Sequence, residues 1–114
     1  MVQENLNAGK VITREAIYNA ARVLNATGGS TNGILHLYAI AAEIGIGSDE
    51  LTAMFDKVGR ETPLIAKVNP AAAFNMEDFY LAGGIPEVMR RLLPLLEAEA
   101  LTATGLSIEE NLKL

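Results

Sequence analysis

Cysteine is absent from the 114 residues. That excludes disulfides, thiolate nucleophiles and any cysteine-ligated zinc or iron–sulfur cluster built by this chain alone. Histidine is scarce as well: His36 is the single one, too few for a histidine-based zinc site. Nine Lys and Arg stand against fourteen Asp and Glu, a formal charge of −5 and a pI near 4.8. The basic residues form no cluster that could neutralise phosphates, which argues against nucleic acid as a partner. No apolar run approaches the ~20 residues that cross a bilayer. The opening "MVQENLNAGK" has no basic segment leading into an apolar one. The expectation is a cytoplasmic protein with neither a membrane nor a nucleic acid as partner.

What is present is apolar surface in quantity. Half of the residues are hydrophobic, enough for one domain with its own core and no staples. Thr13 is a good N-cap, Glu15 suits the positive end of a helix, and Ile17, Ala20, Ala21 and Leu24 recur at helical spacing, so "TREAIYNAARVL" is a helix that stops near Asn25. A second helix starts at Ser30 or Thr31 and runs through "NGILHLYAIAAEI" to Gly45. Its apolar residues cover most of its circumference, which predicts burial on nearly all sides and a place at the centre of the core. Ser48 caps "DELTAMFDKV", an amphipathic helix with Leu51, Met54, Phe55 and Val58 in one stripe.

Past Pro63, "LIAKV" has the length of a short strand, and Asn69-Pro70 is a turn signal. Asn75 caps "MEDFYLA", Gly83-Gly84 end it, and Pro86 opens "PEVMRRLL", which Pro94 closes. "LTATG" reads as a second short strand, and Ser107 with Glu110 has capping-box spacing. The fold class is mainly α, five to six helices with one or two short strands. Strands without partners suggest a piece of a larger α/β domain, with residues 1–114 forming a single partial domain without an internal boundary.

The "GGSTN" stretch, Gly28 to Asn32, sets the most polar small residues directly before the most apolar helix. One reading is an anion site: glycine admits a close ligand, and N–H groups and hydroxyls at a helix start point at negative charge. The other is a tight turn followed by an ordinary N-cap. His36, between Leu35 and Leu37, is either a hydrogen-bonded core residue or a group that orients a substrate. Gly29, Ser30, Thr31, Asn32 and His36 are the candidate substrate-binding residues; no residue of the chain is assigned as catalytic or as a metal ligand. Glu77 and Asp78 are adjacent, diverge by about 100° on a helix, and are first-turn dipole partners, not an acid/base pair.

Three segments, "TREAIYNAARVLNATGGSTNGILHLYAIAAEIGI", "NMEDFYLAGGIPEVMRRL" and "ALTATGLSIEENL", resemble in order the central part of the dihydroxy-acid and sugar-acid dehydratase family, over roughly residues 4 to 112. The resemblance implies a hydro-lyase that removes water from a 2,3-dihydroxy acid to give a 2-keto-3-deoxy acid. It further implies an iron–sulfur cluster as Lewis acid for the 3-hydroxyl, a magnesium ion on the carboxylate and 2-hydroxyl, and a serine that takes the C2 proton. In the family the cluster cysteines and most magnesium ligands precede this region and the serine follows it. The chain is accordingly expected to be an internal fragment, inactive alone, whose partners are the remainder of the dehydratase and a small acidic substrate, in a homo-oligomer. "NPAAAFNMEDF" departs from the Pro-Ser-Gly-Lys-Tyr type of stretch of the family, so that loop supplies no candidates. "MEDFYLAGGIPEVMRRLLPLL" is more similar to the sugar-acid enzymes than to the branched-chain ones, which points to an aldonate. The alternatives are a stand-alone acidic helical interaction domain, using Met54, Phe55 and Met89, and a small carboxylate-binding module built on "GGSTN".

Overall fold

Five of the helix starts among the described residues are each set by a capping side chain. A computed structural model describes residues 5–66 and 75–113, which form seven α-helices and one 3-10 turn. Asn7 accepts from the Lys10 N–H and begins α1 (Ala8–Val11), a short helix the sequence reading does not anticipate. Thr13 Oγ1 accepts from the Ala16 N–H at 3.2 Å and begins α2 (Arg14–Ala26). Ser30 begins α3 (Thr31–Glu43). Gly47, not Ser48, is the N-cap of α4 (Ser48–Glu61); Ser48 is already helical, and Asp49 and Glu50 supply the negative charge of the first turn. Asn75 and Asp78 exchange bonds in a capping box that begins α5 (Met76–Leu81), and Ser107 and Glu110 do the same for α7 (Ile108–Leu112). Between them, α6 (Gly84–Leu92) starts two residues ahead of Pro86 and tightens into a 3-10 turn, Leu93–Leu95, at Pro94.

Neither expected strand forms as a strand among the described residues. In "LIAKV" the Ile65 and Ala66 N–H groups both donate to the Ala26 carbonyl, at 2.7 and 3.1 Å. A helix C-terminus leaves its last carbonyls unpaired, so the end of α2 captures this segment in place of a strand partner. Lys67, Val68 and the Asn69-Pro70 turn lie outside the described residues. "LTATG" contributes a single antiparallel bridge, Leu101 to Ser107, which closes a tight loop. The mainly α class holds.

Apolar burial is divided between two clusters, and α2 belongs to both. Ile17 packs with Ala41, Ile46 and Leu51 where α2 meets α3 and α4. Ala26 packs with Val88, Leu92 and Leu96 where α2 meets α6. The expectation that the helix after "GGSTN" is the buried centre is overturned: in α3 only Ala41 is buried, and Leu35 is 67% exposed. The central helix is α2, although it is the more polar of the two. Its alanines let neighbours approach closely, and its two buried polar side chains find partners for every polar atom but one, Arg22 Nε. Asn19 donates to the Glu97 carbonyl at 3.1 Å and accepts from the Glu97 N–H at 2.7 Å. Arg22, 1% exposed, donates to the hydroxyls of Tyr18 and Thr62 and pairs with Glu61 at 3.3 Å. The chain extends 42 × 36 × 23 Å, and its thinnest dimension is about two helix diameters. Among the described residues no third layer covers the outer face of α3.

Candidate functional site

The turn between α2 and α3 is a Schellman motif. The Gly29 N–H donates to the Leu24 carbonyl at 2.9 Å and the Gly28 N–H to the Asn25 carbonyl at 3.2 Å. Gly28 takes the left-handed conformation this closure needs, with φ of 61°. Ser30 is the N-cap: its side chain accepts from the Asn32 N–H at 3.1 Å and its carbonyl from the Gly33 N–H at 3.0 Å. Of the two readings of "GGSTN", the turn-and-cap geometry is therefore present. It leaves the Thr31 and Asn32 side chains without a hydrogen-bond partner among the described residues, both exposed.

One feature of this turn was missed by the sequence reading. A β-carbon on Gly29 would collide with the end of the Leu24 side chain, and one on Gly33 would lie 2.9 Å from Leu24 Cδ1. Leu24 thus fills the crook where the chain reverses and presses the start of α3 against the end of α2. The signal available was the glycines themselves: Gly29 in the turn and Gly33 in the first turn of α3, both without a side chain where α2 ends.

Four-residue spacing places Asn32 and His36 on one face of α3, with Thr31 beside them. The reading of His36 as a core residue fails here, since the ring is exposed. The inner side of α3 belongs to Leu37, Tyr38 and Ala41. Tyr38 stacks on Phe55 with ring centroids 5.8 Å apart, and its hydroxyl lies 2.6 Å from that of Thr52 on α4. The helix is thereby held by one side while the other presents Thr31, Asn32 and His36 as hydrogen-bonding groups. Between Arg22 and Lys57 the sequence contains neither Lys nor Arg. The positive potential next to Thr31 comes from the helix start itself, equivalent to about half an elementary charge.

A 360 Å³ cavity lies between α2, α6 and the loop near Leu101, lined by Ala16, Ala20, Val23, Met89 and Ile108. Its apolar walls suit no acid. Among the described residues no three His, Asp or Glu side chains gather to hold a metal ion, and no cysteine exists to bind a cluster. Among the described residues the donor set therefore offers no thiolate for an iron–sulfur cluster and no group of three carboxylates for a metal ion. Glu77 and Asp78 separate as expected: Asp78 is used in its cap, accepting from the Asn75 N–H at 3.1 Å, and Glu77 is exposed. No helix among the described residues is long and apolar enough to cross a membrane.

Comparison with known proteins covers nearly the whole chain. A family model described as dihydroxy-acid/6-phosphogluconate dehydratase N-terminal matches residues 1–111. The chain is 46% identical over 116 residues to a dihydroxy-acid dehydratase of Koribacter versatilis. It is 44% identical over 115 residues to a dihydroxy-acid dehydratase of Ignicoccus hospitalis, and 43% identical over 118 residues to an L-arabonate dehydratase of Azospirillum brasilense. Each match covers 99% of this chain and 20% of the relative, so the chain spans about a fifth of the length of the curated relatives it matches. With the family model matched over nearly the whole chain, the chain belongs to the dihydroxy-acid/6-phosphogluconate dehydratase family.

Proposed function

We propose that the chain is one part of a cytoplasmic hydro-lyase that converts a 2,3-dihydroxy acid to a 2-keto-3-deoxy acid, and that Gly29, Ser30, Thr31, Asn32 and His36 serve its substrate-binding side. The observation that carries the reading is the family match together with the exposed face of α3 bearing Thr31, Asn32 and His36. A rigid Schellman turn holds that face in a fixed direction, as a substrate-orienting group requires. In this reading the Thr31 hydroxyl and the Asn32 amide donate to oxygens of the acid, the helix start favours its negative charge, and His36 positions a hydroxyl. Gly29 leaves room for Leu24, which fixes the turn, and Ser30 holds the cap.

The iron–sulfur cluster and magnesium implied by the resemblance would supply Lewis-acid chemistry at the leaving hydroxyl and the carboxylate. Their ligands are assigned to the remainder of the parent, a homo-oligomer. Relatives named for dihydroxy acids and for L-arabonate match at similar identity; the helix sequence around "MEDFYLAGG" favours a sugar acid. Thr31→Val in the parent enzyme keeps the shape and deletes the hydroxyl. The expected result is a fall in kcat/KM of about tenfold, some 1.4 kcal/mol. A change within about twofold would leave Thr31 with no part in binding or catalysis.

A further inference from the structure

We propose that the outer face of α3 is a seam, covered in the assembled protein by a further layer of the same polypeptide that lies outside residues 1–114. This rests on the chain being part of a longer dehydratase, and it assigns the surface and the kind of occupant. Leu35 and Ile40 are 67% and 41% exposed, and Ala39 and Ala42 are exposed beside them. From Thr31 to Ala42 there is no Asp, Glu, Lys or Arg.

The neighbouring α4, of nearly the same length, shows what a wet face looks like in this fold: Asp49, Glu50, Asp56, Lys57, Arg60 and Glu61 are all exposed on it. Two adjacent helices with such different outer faces are not both surface helices in the finished protein. The small side chains of Ala39 and Ala42 let a neighbouring element approach closely.

The choice between a second copy and the same polypeptide turns on area. A helix of 13 residues is about 20 Å long and 10 Å wide, a footprint of roughly 200 Å². A stable interface between separate subunits buries about 800 Å² on each side. The α3 face falls well short, whereas a tethered layer does not bear the entropy loss of bringing two molecules together. Chain is available for it, since the relatives are about five times as long. A layer seated on the stripe of Leu35, Ala39 and Ala42 leaves the flanking Asn32 and His36 at its edge, where they and Thr31 border the cleft between the two layers.

The test uses Leu35→Glu and Ala39→Glu in the parent protein, with Ala53→Glu on α4 as control. Each α3 variant is expected to lower Tm by about 5 °C or more, because a carboxylate enters a dry contact. For the control the shift stays within about 2 °C. Should the α3 variants fail to fold, hydrogen exchange of the unaltered parent replaces them: α3 amides are expected to exchange at least about tenfold more slowly than those of α4. Unchanged Tm in the α3 variants, or equal exchange in the two helices, overturns the seam. Variants that turn an oligomeric parent into stable monomers make the occupant a second copy, which also overturns it. None of these readouts uses turnover, so a failed Thr31→Val test of the dehydratase site leaves this result standing, and the reverse.

Discussion

Leu24 occupies the space that a side chain on Gly29 would need, so the end of α2 and the start of α3 close on each other through one isobutyl group. This contact and the left-handed Gly28 beside it convert a helix end into a fixed platform for the next helix. The platform is what makes Thr31 and Asn32 usable as directional groups.

Gly28→Ala tests the platform. An L-residue at φ of 61° costs about 1 kcal/mol relative to glycine. Chemical denaturation of the chain should show that loss of stability with an unchanged m-value. An unaltered midpoint would mean that the turn relaxes to another geometry.

Arg22 separates burial from charge. Arg22→Ala removes the donor to Tyr18 and Thr62 and opens a cavity in α2, and should cost on the order of 3 kcal/mol. Glu61, whose side chain is 43% exposed, should cost less than about 1 kcal/mol when changed to Gln. Equal losses in the two variants would instead make the ion pair the source of the stability.

Acid should weaken the chain at two surface sites. Arg14 donates to Glu50 at 2.7 Å and holds its carboxyl below the ordinary 4.5. The Ser107 N–H, at 2.8 Å, together with the Ser107 hydroxyl, does the same for Glu110. A carboxyl with a lowered folded-state pKa stabilises above its unfolded value, and that stability disappears as pH falls through the folded one. Stability is therefore expected to fall as pH drops below about 4.5, less steeply in Glu50→Gln and Glu110→Gln. Unfolding midpoints with the same pH slope in both variants would show that the two contacts are not formed in solution.

The 114-residue chain alone is expected to be colourless, free of iron and without dehydratase activity on any aldonic acid, because it has no cysteine and no metal-binding cluster among its described residues. It should also bind a hydrophobic dye and self-associate, given Tyr80 and Leu81 at 77% and 74% exposure. Turnover or a brown preparation would contradict the first expectation, and a dye-inert monomer at high concentration the second.

The sequence by itself determined the local events and the family. Thr13, Ser30, Asn75 and Ser107 act as caps because each bond reaches only two or three residues along the chain, so spacing is sufficient to read it. The "GGSTN" turn was legible for the same reason. Only the tertiary structure decided which helix is central. The apolar circumference of α3 suggests burial, but burial needs partners, and a slab two helices thick supplies them on one side only. The role of α2 was hidden because its support comes from far along the chain. Asn19 meets Glu97 across 78 residues and Arg22 meets Thr62 across 40, and no local pattern announces that a polar side chain will be satisfied at such a distance.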